Sequence, residues 1–340
     1  DERRGNCPDR LVDATTGKRF LNTFALRRAD VNILGAGPWP RASAGMDASM
    51  TLDSSVKLDR SFRSSPARRC LHVLACAALV FLVAGTSGCN KLKARDLLNK
   101  GVGAFKNGQY DNAIEFFKQA RDLDPSLMNA RLYLATAYAS QYIPGAPSDA
   151  NTKLGNQAIA EFKDVLNVDP NNLSAIDGLG SLFYQMAATP YDPKKFDESK
   201  AYHQKHIELK SSDPEPYYWI GAIDWTVSQR INLELRAAYN KNNIKKQVQD
   251  ADPMPTSFRP EYVAKSGAMV EEGIAALQKA LQIRPDYDDA MAYLSLLYRR
   301  KADMVESAQE RDDLEKQADV LLDKVKEIKQ KRAEQPQPAS

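Results

Sequence analysis

Histidine is almost missing from this chain, with three in 340 residues, and only His203 and His206 stand close together. Cysteine is scarce too: Cys7, Cys70, Cys76 and Cys89 are all there is. A structural zinc cage needs four ligands at short, regular intervals, and no such spacing exists. There is no apolar run of the roughly 20 residues that a spanning helix requires; the unbroken stretch Val73 to Ala84 has 12. A charge excess of one sign is also lacking, since 47 Lys+Arg against 44 Asp+Glu leaves +3. Residues 1–88 carry 13 basic and 8 acidic side chains, so the rest holds 34 and 36. A near-neutral body excludes the clustered basic footprint of a nucleic-acid binder. The glycines of LGAGPWPRASAG do not fit GxGxxG and sit in no strand-to-helix context, so nucleotide binding has no carrier there. No nucleophile motif or phosphate loop occurs elsewhere. Catalysis, a cofactor and a metal are therefore not expected.

What is present divides at Cys89. Arg63, Arg68 and Arg69 precede Val73–Ala84, whose length suits the 7–15 residues of a signal-peptide h-region. Thr86-Ser87-Gly88 then lead into the cysteine. A buried helix or an ordinary secretory signal would share the apolar run. The full arrangement resembles the bacterial lipoprotein signal, which implies that residues 50–88 are a signal peptide and that Cys89 receives lipid. Lipid would also account for a lone thiol that can form no internal disulfide. Asn90, where an Asp would favour the inner membrane, implies the periplasmic face of the outer membrane. Residues 1–49 show no sustained periodicity and are expected to be a non-native or disordered extension, with translation starting at Met50 or Met46.

Beyond Cys89 the chain keeps a clock. Residues 97–126 hold Gly101 and Ala104 on one helix face, then Ala113, Phe117 and Ala120 on a second. Gly108 lies between them and Pro125 ends the pair. The second-helix pattern and its terminator return as Ala158/Phe162/Val165/Pro170, Ser199/His203/His206/Ser211 and Gly273/Leu277/Ala280/Pro285, always at offsets of 4, 3 and 5. Ten residues separate Pro125 from Ala135, Pro170 from Gly180, Ser211 from Gly221 and Pro285 from Ser295. A fifth unit keeps Ala318, Leu322 and Val325. This pattern resembles the tetratricopeptide repeat. The resemblance implies an all-α fold: a right-handed superhelix, or α-solenoid, of about five helix pairs. Units are expected over 94–127, 128–172, 173–213, 214–287 and 288–332, with a disordered tail at 333–340. Small residues such as Gly101, Ala135 and Gly180 let two helices approach, and larger ones such as Phe117, Tyr138, Phe162 and Phe183 are expected to fill the space between neighbouring pairs. One pair cannot bury its apolar face alone, so stacking supplies the core.

Only the interval between the two helices of a pair varies, so every insertion falls there. Residues 141–151 and 187–195 read as Pro/Gly/Asp-rich loops. The long insertion, 226–270, contains a helical segment near 232–248, the breaker run 250–260, and a helix from Glu261 into Gly273. A stretch of that length is expected to pack on the array, either as a surface excursion or as a partner-binding element.

His203 and His206, at i and i+3, could both ligate a metal, but they occupy repeat-core positions and no third ligand is near. The pairs Asp288-Asp289 and Asp312-Asp313 read as helix-start and surface charge. Projecting the first helices places Tyr184, Tyr218, Trp225 and Arg299 on one face, and aromatics with Arg are the usual interface anchors. Leu98 and Val102 stand where some members of the family begin a Lys/Asn carboxylate clamp, so that mode is absent. The resemblance implies a lipid-anchored scaffold facing the periplasm, binding protein or peptide partners in its concave groove, in envelope assembly or secretion. The alternatives are a self-associating structural envelope protein and a metal-dependent enzyme built on 226–270.

Overall fold

The computed structural model describes residues 89–334; the expected extension, the signal peptide and residues 335–340 of the tail lie outside the described residues. Among these, ten helices and no strand are found. They are α1 (89–106), α2 (Tyr110–Leu123), α3 (Met128–Gln141), α4 (Asp149–Val168) and α5 (Leu173–Ala188), then α6 (Pro193–Leu209), α7 (Pro214–Asn242), α8 (Arg259–Ile283), α9 (Asp288–Ala302) and α10 (Ala308–Glu334). In chain order they fall into five helix–turn–helix pairs. Two units divide the contacts, one ending at Ser140 and the other starting at Gln141.

In the first unit, α1 and α2 are joined by a turn at Gly108, whose φ of 72° suits glycine. Gly101 faces the ring of Phe117, and a side chain at 101 would collide with it. Phe117 is fully buried, and Tyr133 of α3 stacks on its far side at 5.4 Å between centroids. A small residue on the first helix thus admits a large one from the second, and an aromatic of the next helix closes over it.

The second unit repeats this arrangement with different side chains. Gly180 of α5 faces His203 of α6, and Trp219 of α7 stacks on that imidazole at 5.6 Å. Gly221 of α7 faces Leu277 of α8, and Tyr293 of α9 packs against the cluster around Leu277. Phe162 of α4 fills the space between neighbouring pairs, as expected, though not in the way that Phe117 does. It is buried as expected, but its ring lies over Gly178 of the following helix, α5, where a Cβ would collide with it. The reason is one substitution in a column. Eight residues after the terminator, where the other pairs have Tyr133, Trp219 and Tyr293, the chain has Gly178. Without an aromatic in that place the next helix leaves room, and Phe162 itself fills it.

The third pair is the polar one, and Ser199 and His206 each make a hydrogen bond within it. Buried Ser199 donates to the Gly180 carbonyl at 2.7 Å, and His206 Nδ1 lies 2.6 Å from Asp177 Oδ1. A buried polar group without such a bond would cost about 1–3 kcal/mol.

The stops and starts are written largely with Asp-Pro. Asp124 and Asp169 terminate α2 and α4, and their carboxylates accept the Ser126 and Asn171 backbone N–H groups. Asp192 and Asp213 cap α6 and α7 by accepting N–H groups of the first turn, each with proline next in line. The expected loops are shorter than the sequence suggested, because helix continues to Gln141 and Ala188 and resumes at Asp149 and Pro193.

The long insertion differs more. α7 runs without a break through Asn242 and α8 already begins at Arg259. The insertion is therefore an elongated helical hairpin closed by a turn over 243–258, and residues 243–248 are not helical. Its outer part is fixed by a buried network. Arg236 Nη2 bonds Asp303 Oδ1 at 3.0 Å, Asn232 donates to Asp303 Oδ2 at 3.0 Å, and the Met254 N–H donates to Oδ1 at 3.1 Å. Arg236 also donates to the Asn232 side chain and to the Gln249 carbonyl, at 2.7 and 2.6 Å. Asp303 follows α9, so the hairpin is bonded to the fifth pair. Finally, α10 buries Leu314, Ala318 and Val325 along one stripe and keeps its other face charged. It stays helical through Ala333 and Glu334, two residues into the segment read as tail.

Candidate functional site

The face sought from sequence lies on the first helices α5, α7 and α9 of the second unit. Its aromatic rings meet in a chain. Tyr184 of α5 lies edge-on to Trp219 at 5.2 Å. Tyr218 of α7 lies edge-on to Trp219 at 5.3 Å and to Tyr293 of α9 at 5.6 Å. Trp225, two turns further along α7, meets Tyr293 at 5.4 Å. Edge-to-face pairing stiffens such a surface without any partner.

The four residues picked from sequence fare differently. Tyr218 and Trp225 are half-buried and fall together as expected. Tyr184 does not present itself to solvent: it is buried, packed on Phe196 and Ile223, with its hydroxyl 3.3 Å from Thr226 Oγ1. Thr226 spends its own proton on the Ala222 carbonyl, so Tyr184 is the donor. It supports the face from below. Arg299 points to α10, pairing with Asp319 at 2.6 Å, and so belongs to the joint between α9 and α10. Tyr293 was missed. It lies eight residues after its terminator, Pro285, as Tyr133 and Trp219 lie after Pro125 and Ser211; reading that column would have found it.

Burial raises the phenols of Tyr184, Tyr218 and Tyr293, the last two well above the ordinary value. They are neutral hydrogen-bonding groups on an apolar surface. Beside them, Asp289 on the first turn of α9 is raised by burial and by its neighbour Asp288, against the pull of Lys329 and Arg332. The chemistry on offer is aromatic contact plus hydroxyl and carboxylate acceptors. No nucleophile–base pair is aligned on this face.

Asp224 of α7 is the most perturbed carboxylate among the described residues. It is almost fully buried, with Lys200 of α6 at 2.7 Å; Lys200 in turn meets Glu272 of α8 at 2.8 Å. Desolvation pushes Asp224 up to about 7 in spite of Lys200. Lys200 is lowered by burial and raised by the two carboxylates, which prevail. Gly273 leaves the room: a Cβ there would come 2.7 Å from Leu297 and 2.9 Å from Asp224. This cluster joins three helices. A separate cleft of ≈ 630 Å³ lies between α8, α9 and α10, lined by polar groups including Glu271, Gln278, Lys301 and Asp313.

No set of three or more His, Cys, Asp or Glu side chains converges as a metal site among the described residues. Their helices include none long and apolar enough to cross a membrane. Cys89 is exposed, already within α1.

Residues 94–127 match the family model of the tetratricopeptide repeat. No curated protein matches the chain in sequence. Among solved structures, the chain is similar to a MamA protein at 17% identity, over 73% of this chain and 98% of that one, with a TM-score of 0.44. For MamA from Desulfovibrio magneticus RS-1 the values are 16%, 72%, 98% and 0.45. For YrrB, described as a TPR protein with an unusual peptide-binding site, they are 16%, 68%, 84% and 0.37. The later pairs share the spacing of the matched unit.

Proposed function

For a chain that carries tetratricopeptide repeats, we propose a scaffold role in which a protein or peptide segment lies along the first-helix face of the last three pairs. Tyr218, Trp225 and Tyr293 are its anchors and Leu296 extends the apolar strip. Binding proceeds without covalent chemistry. The observation that carries the reading is the aromatic chain from Tyr184 to Tyr293: half-buried rings on α7 and α9 backed by the buried Tyr184 of α5, already ordered, so that a partner meets them at little entropic cost. Lipid on Cys89 would hold the scaffold at the periplasmic face of the outer membrane, in support of envelope assembly or secretion. What supports that placement is the sequence alone: the arginines, the apolar run and the small residues before the cysteine.

The face is tested by a photo-reactive phenylalanine placed at Trp225 or Leu296 in cells, with Lys279 of α8 as control. Partner adducts are expected from the first two positions and not from the third. In purified form, Trp225→Ala should weaken the captured partner by about 2 kcal/mol or more if it is a hot spot, with an unchanged melting curve as the folding control. Equal capture from all three positions would remove the face from consideration.

A further inference from the structure

The outer end of the α7–α8 hairpin is a built turn whose crest faces solvent. Asn240 closes it: its side chain donates to the Val248 carbonyl at 2.9 Å and accepts the Val248 N–H at 2.8 Å. Asn243 donates to the Tyr239 carbonyl at 2.9 Å and accepts the Lys246 N–H at its own carbonyl, also at 2.9 Å. Below the crest, Arg236 holds Gln249, and Arg300 pairs with Asp250 at 3.2 Å. On the crest itself Ile244 is 80% exposed, more than any other large apolar side chain described. Lys241, Lys245 and Lys246 flank it in the sequence, all exposed. From Leu235 to Gln249 the sequence has no acidic residue, and these three lysines form no salt bridge with a described residue.

We infer that this crest, Ile244 flanked by Lys241, Lys245 and Lys246, docks on the surface of an anionic lipid bilayer. An exposed apolar side chain with lysines on both sides of it in the sequence matches the boundary between acyl chains and negatively charged headgroups. The ammonium groups meet lipid phosphates while the isoleucine enters the interface. A protein partner fits less well. A stable protein interface needs roughly 800 Å² on each side, and the stretch Lys241–Lys246 offers a single large apolar side chain, Ile244. The rigid closure by Asn240 matters because the docking group need not be ordered on contact. This inference does not depend on lipid at Cys89 or on the aromatic face.

The test uses the full chain with Cys89→Ser, so that no attached lipid contributes. Its partition onto vesicles of phosphatidylglycerol and phosphatidylethanolamine is compared with that onto phosphatidylcholine alone. Preference for the anionic vesicles is expected, falling at least about tenfold in Lys245→Glu/Lys246→Glu and several-fold in 0.5 M salt, of the order expected when juxtamembrane lysines lose their attraction. A second variant, Ile244→Trp, reads the crest directly: anionic vesicles should blue-shift its emission relative to the parent, whatever the rest of the chain does. No blue shift, or a partition that ignores both the lysine reversals and the lipid charge, overturns the inference. So does transfer of the lysine-dependent binding from vesicles to an acidic protein added in competition.

Discussion

Asp224 shows how one side chain's surroundings become a property of the fold. An aspartate ordinarily loses its proton near 3.8, and burial raises this one to about 7. Between those values the native chain keeps a proton that the unfolded chain has released. The group therefore favours the native state fully below about pH 4, and that contribution is lost as pH rises to about 7. Asparagine at 224 cannot titrate. Melting temperatures of parent and Asp224→Asn should diverge across that window, the parent losing ground as pH rises, and run parallel above it. A constant difference at every pH would mean that Lys200 keeps the carboxylate ionised throughout. Gly273 belongs to the same site, since its missing Cβ is what lets Asp224 and Leu297 meet the α8 backbone.

Among the elements, the α7–α8 hairpin is where sequence and structure part most clearly. The small-and-large pattern of Gly101/Phe117 and Gly221/Leu277 was legible because one apolar period repeats at fixed offsets. Phe162 keeps the offsets and still packs forward onto Gly178, since an interval fixes where a side chain starts and not which neighbour has space for it. A helical segment near 232–248 was legible, but not that it continues α7 without a break or that it buries Asn232 and Arg236. They point inward, to an aspartate more than sixty residues away, and no local period encodes that. Arg299 was misplaced for the same reason, its partner Asp319 lying on another helix. Tyr184 shows a further limit: a face projected from spacing does not say how deeply a neighbouring helix will cover it. The network makes the hairpin's dependence on α9 measurable. Asp303→Ala strands a buried guanidinium and should cost about 3–5 kcal/mol in urea unfolding. Hydrogen exchange over 249–254 should accelerate in the same variant even where α2 and α4 remain protected. Uniform loss of protection would show that the network serves the whole molecule and not the hairpin.

At the scale of the whole molecule, pairs within each unit lean on the next, and the polar third pair joins the fourth through the stack of His203 and Trp219. The proposed anchor acts at this scale. Because Cys89 already lies in α1, lipid on it would leave almost no tether before the first pair. Cys89→Ala should move the protein from the membrane fraction to the soluble fraction; retention of the variant in carbonate-washed membranes would speak against lipid at that cysteine. The turns that divide the pairs carry one more consequence, chemical and not conformational. An aspartyl carboxyl can attack its own peptide carbonyl, and a following proline nitrogen, being more basic than an amide N–H, is an unusually good leaving group in warm dilute acid. This chain places that linkage at Asp124-Pro125, Asp169-Pro170, Asp192-Pro193, Asp213-Pro214 and Asp252-Pro253. The dipeptides that mark where helices stop and start are thus also its most acid-labile bonds, and hydrolysis would release it in pieces cut along its own architecture.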